Sequence, residues 1–328
     1  MNSLFLHIGS HKTGTSALQS AFAVNSARLR QDGILYPAST GNADARQGRI
    51  TSGNGLRLAT YLNPDLPFGF RPENFLPNFN RTLVAADGKN ILYSSEFLEL
   101  FDAARLTGLA AHAASQGYQC RIVYFVRSIA GHAISSYSQA VKREKVTSSF
   151  ADYLRSVYRN PFKDTIRRSN AAVGIGNLLL LNYDAVRKDL LRTFLQEVCK
   201  LDSEGYRQPA TVNRSLTATE IEVMRAVNGK LESRRQATLV SDALIYADPE
   251  AATNFVVTAN EMQLMRELHT ADLSFVNSRI TGEPITLCDS SIKQGERPEL
   301  KPDDLEKAVV RALALLAPSP PRSDDEGE

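Results

Sequence analysis

Gly9, Ser10, His11, Lys12, Thr13, Gly14, Thr15 and Ser16 put two glycines, one lysine and four hydroxyl side chains into eight consecutive positions. Glycine at positions 9 and 14 lets the backbone curl so that several N–H groups converge, and a helix beginning after the loop adds its positive end. Such a loop binds an anion. The glycine spacing is that of a P-loop, G-x-x-x-x-G-K-[ST], yet the lysine slot holds Thr15 and the lysine sits upstream as Lys12. A triphosphate is normally held with Mg²⁺ by the loop Ser/Thr and an Asp ending another strand. No apolar strand segment here ends in such an Asp, so no metal is expected. A sulfuryl group carries one fewer negative charge than a phosphoryl group, and a single lysine suffices for it. The loop therefore points to sulfate transfer rather than phosphate transfer.

The run from His7 to Gln19 resembles the 5′-phosphosulfate motif of sulfotransferases that use 3′-phosphoadenosine 5′-phosphosulfate (PAPS), in particular the bacterial branch with K-T-G-T-[ST]-x-[LI]-Q. Val123 to Arg127, followed by the run Ser135 to Lys142, resembles the 3′-phosphate motif of the same family: a strand, a terminal Arg, and a Ser eight residues later in a helix. The resemblance implies a P-loop NTPase-like sulfotransferase fold with PAPS as donor. It assigns Lys12, Thr13, Gly14, Thr15 and Ser16 to the 5′ side, and Arg127 and Ser135 to the 3′-phosphate. A guanidinium forks onto two phosphate oxygens, which suits Arg at that position. Asn213 to Leu216 is similar to a late family element in which Arg214 is a further phosphate contact.

Transfer to a hydroxyl needs a base. Glu96 follows a predicted strand and opens a helix, the position where strand ends line a ligand crevice, and the resemblance gives it the catalytic role; Glu99 is the fallback. The ordinary alternative for Glu96 is an N-terminal helix acid that complements the macrodipole. Lys12 is the expected catalytic cation. His7 is read as packing at a strand end and His11 as incidental.

Strands are expected at residues 4–8, 33–36, 90–94, 121–126 and 177–182, separated by helical text, which argues for an α/β fold: a parallel β-sheet flanked by helices on both faces. A helix is expected from Thr15 and another over Asp184 to Lys200. The Gly-, Asn- and Pro-rich stretch at about 38–80 reads as acceptor-side loops. Beyond Val212 the pattern is helical, with no further strand. The expected organisation is a PAPS-binding core over 1–216, a helical C-terminal extension over 217–317 and an acidic, disordered tail over 318–328.

The chain has 328 residues, 43% hydrophobic and 23% charged, and a net charge of +2, which excludes a strongly basic nucleic-acid binder. Three widely spaced cysteines suggest neither a disulfide framework nor a metal site. The apolar run Leu4 to Ile8 is too short for a signal core or a membrane span, so a soluble cytoplasmic protein without an integral membrane segment is expected. The family resemblance implies a carbohydrate acceptor, a polysaccharide or glycolipid. The competing readings are a P-loop kinase or other nucleotide-dependent phosphotransferase, and a non-catalytic nucleotide- or glycan-binding relative.

Overall fold

The computed structural model describes residues 1–10, 12–39, 42–46, 52–208, 215–251, 255–297 and 301–314. The chain forms two compact units. The first comprises Met1–His132, Arg159–Val212 and Met265–Asp289; the second comprises Ala133–Tyr158, Asn213–Leu264 and Ser290–Glu328.

All five expected strands are present in the first unit: β1 (Asn2–Ile8), β2 (Ile34–Leu35), β3 (Asn90–Ser95), β4 (Tyr118–Val126) and β5 (Leu178–Asn182). They form one sheet in the order β2-β3-β1-β4-β5, every neighbouring pair parallel. Because side chains alternate across a strand, each strand supplies two cores. Leu4, Leu6 and Ile8 join Ile122, Tyr124 and Val126 on one face, under helices at Phe75–Ala86, Ala103–Ser115 and Phe162–Val173. Phe5, Leu92, Val123 and Phe125 pack on the other face against Phe22 of α1 (Thr15–Val24) and against Phe194. Both faces are covered, so the strands read as near-continuous apolar runs. This is an α/β fold in P-loop-like order: central strand, glycine-bracketed turn, helix.

The free edge of β5 is closed by a late segment of the chain. Thr281 N–H donates to the Leu180 carbonyl at 3.0 Å, and the Asn182 side-chain amide donates to the Pro284 carbonyl at 3.0 Å. The same segment accepts from Ile129 and Ala130 through the carbonyls of Thr286 and Leu287.

The helix expected over Asp184 to Lys200 is interrupted. A first turn, Tyr183–Val186, is capped by the Asn182 side chain, which accepts from the Asp184 and Ala185 N–H groups. A second segment starts at Leu190 and widens into a π-helical turn over Phe194–Cys199. The two pieces serve different partners: the first turn is held through Asp184 at the end of β4, whereas Leu190, Leu191, Phe194 and Leu195 bury into the sheet's apolar core.

The second unit is mainly helical, with helices Ala218–Asn228 and Arg234–Ala247 each opened by a reciprocal capping box, Thr217 with Glu220 and Ser233 with Gln236. Its aromatic cluster joins Tyr137, Phe150, Tyr153 and Phe255. It also contains a two-residue parallel ladder not expected from sequence, β6 (Val256–Val257) with β7 (Lys293–Gln294). Two residues are too few to show a strand period, and the pairing is fixed instead by Arg297, which donates to the Val256 carbonyl and pairs with Glu261 at 2.8 Å. Among the described residues no helix is long and apolar enough to cross a membrane. Burial pushes the Cys120 and Cys199 thiols up to about 12, leaving both inert core groups.

His7 packs at the end of β1, as expected. It is fully buried, edge-on to Phe125 and Phe194, with Nδ1 2.8 Å from the Ser94 hydroxyl. Burial lowers its pKa from 6.5 to about 3. The unfolded chain therefore takes up a proton near pH 6.5 while the folded chain does not, so stability is complete above that pH and falls as pH descends toward 3. By about pH 5 the loss from this group reaches roughly 2 kcal/mol. His269, also depressed by burial, adds a contribution of the same sign. Urea midpoints measured across this range should decline in the wild type and decline less in His7→Phe; an identical slope in the two proteins contradicts the assignment.

Candidate active site

The anion loop begins where β1 ends. Ile8 is paired with Ser95 across the ladder, and the Gly9 N–H donates to the Ser95 carbonyl at 3.3 Å. The loop thus starts over the end of β3, one residue from Glu96. Inside the loop the buried Thr13 donates its hydroxyl to the Ser10 carbonyl at 2.7 Å, closing the turn. Lys12 is exposed and holds φ at 69°, a left-handed conformation uncommon for a non-glycine residue. Gly14, with φ 75°, is the N-cap of α1 and supplies no side chain to the first-turn amides. Those amides begin the ten-residue helix with its positive end at the loop. A Cβ on Gly14 would lie 2.4 Å from a Leu190 methyl and 2.9 Å from the Tyr183 ring.

Arg127, at the end of β4, reaches the loop. Its Nη1 donates to the Lys12 carbonyl at 3.0 Å, although 115 residues separate the two in sequence. Its Nη2 pairs with Asp184 at 3.2 Å, and the guanidinium lies 5.2 Å from the centroid of the Tyr183 ring. Asp184 also accepts from the Ser128 N–H at 2.7 Å. Arg127 is therefore held between the loop and the end of β5, with 13% of its side chain exposed.

Glu96 is half-buried and opens a short 3₁₀ turn, Glu96–Leu100, whose start is capped by Ser95 accepting from the Phe97 N–H. Glu99, three residues on, is buried: it accepts from the Tyr124 hydroxyl, and its own carbonyl accepts from Arg168 at 2.9 Å. Burial, then the adjacent Glu99 carboxylate, raises the Tyr124 phenol well above its ordinary range, so it remains a donor. The nearby Ser10 and Thr165 hydroxyls act on this phenol in the opposite direction, more weakly. The Ser10 hydroxyl lies 3.2 Å from His132 Nε2. A buried chain of polar groups, Glu99, Tyr124, Ser10 and His132, thus supports the loop from beneath.

Of the residues singled out in the sequence, Lys12, Thr13, Gly14, Thr15, Ser16, Glu96 and Arg127 gather at the ends of β1, β3 and β4. Ser135 is half-buried on the helix Ile129–Arg143, in the part belonging to the second unit. Arg214 and His11 lie outside the described residues. In the sequence Asp184 stands out only within the run Asn182-Tyr183-Asp184, which resembles a tyrosine-acid turn of the sulfotransferase family; nothing local marks Tyr124, Ser10 or His132.

No protein-family model matches the chain, and no curated protein is similar to it. Among solved structures it is similar to the crystal structure of a sulfotransferase from Alicyclobacillus acidocaldarius, with 15% sequence identity, 75% of this chain and 96% of that chain covered, and a TM-score of 0.39. A likeness at this level leaves the function to be argued from the site itself.

Two substitutions test the loop geometry. Gly14→Ala should lower stability by at least about 1–3 kcal/mol, from the left-handed backbone alone, and more if Leu190 cannot yield. Tyr124→Phe should cost about 1.5–3 kcal/mol through loss of a charge-assisted hydrogen bond. Denaturant midpoints measure both, and a neutral Tyr124→Phe would contradict the buried network.

Proposed function

We propose that the chain is a PAPS-dependent sulfotransferase acting on a hydroxyl acceptor, with a carbohydrate as the acceptor class. The observation that carries this reading is the 3.0 Å contact between Arg127 and the Lys12 carbonyl, which joins the two motifs that resemble the donor-binding elements of that family. Thr15, in the slot where a P-loop kinase has its lysine, is 4% exposed, and this too favours sulfuryl over phosphoryl transfer.

The residues fit the donor. The uncapped amides at the start of α1, with the Ser16 hydroxyl, hold its 5′-phosphate, while the Thr13 hydroxyl is engaged inside the loop and fixes its shape. Arg127 is assigned to its 3′-phosphate. When bound, the donor supplies an activated sulfuryl group. The Lys12 ammonium offsets negative charge that develops on the phosphate side in the transition state. Glu96 would take the proton from the acceptor hydroxyl as its oxygen bonds to sulfur and the sulfur–oxygen bond to the donor's 5′-phosphate breaks, so that the sulfuryl group passes to the acceptor, 3′,5′-adenosine diphosphate leaves and the carboxylate gains the proton.

Lys12→Ala should lower kcat by about 10²–10³. Glu96→Gln should lower it by about 10²–10⁴ while donor binding persists. Binding is read by thermal melting: 3′,5′-adenosine diphosphate without metal should stabilise by about 2.7 kcal/mol at one hundred times its Kd, and ATP with Mg²⁺ should not. A response to ATP·Mg²⁺ alone would replace this reading with a kinase.

A further inference from the structure

In the unit that holds the loop, a subset of the residues in segments 37–39, 52–57 and 69–82, together with Tyr93, lines a cavity of about 1060 Å³. That is at the upper end of the roughly 300–1,000 Å³ typical of small-molecule sites. Three arginines line it, Arg57, Arg71 and Arg81, and among the described residues on the lining there is no Asp or Glu. Among the described residues none of the three forms an ion pair with a carboxylate. Arg57 lies over the Phe70 ring at 5.3 Å, and Arg81 donates weakly to the Asn78 side chain at 3.4 Å. Their charges are therefore held at the wall by neutral neighbours and not cancelled. Elsewhere on the lining the exposed Asn74 and Asn78 side chains offer hydrogen-bonding amides, and the Phe70 ring offers an apolar surface of the kind that packs on a sugar.

This wall is joined to the reaction centre. The Asn54 side chain accepts from the Ser94 N–H at 2.8 Å and donates to the Leu92 carbonyl at 3.0 Å, while the Gly55 N–H donates to the Ser94 carbonyl at 3.0 Å. Gly53 has φ 72°, and a Cβ there would stand 2.1 Å from the Ser94 carbonyl. The cavity rim is thus bonded to β3 two residues before Glu96. At the same seam, Gln19 of α1 is 1% exposed, and among the described residues neither atom of its amide has a hydrogen-bond partner. A Cβ on Gly53 would be 2.7 Å from that amide nitrogen.

We propose that this cavity is the acceptor site and that it selects an anionic oligosaccharide, one bearing carboxylate or sulfate groups, whose charges meet Arg57, Arg71 and Arg81 while a ring hydroxyl faces Glu96. The inference rests on the sulfotransferase reading for the reaction but not for the binding. The test is calorimetric titration of the full chain, without donor, using a tetragalacturonate, a sulfated tetrasaccharide and a neutral tetrasaccharide of matched linkage. One or both anionic probes should bind, and the one that binds identifies the charged group; the neutral probe should bind at least about tenfold more weakly. Arg71→Gln with Arg81→Gln, both exposed side chains, should weaken the anionic probe by about ten- to a hundredfold. The melting shift with 3′,5′-adenosine diphosphate should stay unchanged. Equal affinity for neutral and anionic probes, or an unaffected double variant, overturns the proposal even if sulfation occurs. Selective binding without turnover overturns the sulfotransferase reading and leaves the site.

Discussion

The Arg127 guanidinium is the point on which the site depends. It touches the loop after β1, the acid after β5 and, through the Ser128 amide bound to the same acid, its own strand end. Taking such a pair out of water costs several kcal/mol per ion, and little of that returns as net stability. What the arrangement yields is position: the loop, closed from within by Thr13, is tied from outside by groups at the ends of β4 and β5. The parallel register does the rest, since neighbouring strands ending together bring Gly9, Glu96 and Arg127 to one edge of the sheet.

Beneath that edge, two acids three residues apart have different environments. Glu99 is enclosed with a phenol that stays protonated, in a chain of groups running through Ser10 to His132, and its backbone is held by Arg168. Glu96 stands at the strand end with part of its surface open. Separation of this kind lets one carboxylate stiffen the scaffold while the other stays accessible at the strand end, as the proposed proton transfer requires.

The sheet was legible because it is parallel and covered on both faces, so each strand reads as an apolar run between helical stretches; His7 was legible for the same reason. The loop and Arg127 carried their own spacing. What escaped was non-local. Tyr124 looks like any aromatic strand residue, and only the fold brings it to Glu99 and Ser10. Asp184 lay inside a run with helical apolar spacing, and that spacing hid the break at residues 187–189 because periodicity reports which residues bury, not whether the backbone between them stays helical. The β6–β7 ladder is too short to leave a pattern. The cavity arginines come from two separate stretches, Arg57 from one and Arg71 and Arg81 from the other, and nothing in the order of residues says which side chains will share a wall.

The strap over residues 281–287 bears on how the chain is made. The outer strand of the sheet receives its last backbone partner from residues made about a hundred positions later, after most of the second unit has been synthesised. A nascent chain that has only just completed β5 still carries an unsealed sheet border, a known invitation to mispairing. Closure of the α/β core is thus a late event on the ribosome, and a C-terminal truncation that removes the strap exposes the sheet even though every strand remains.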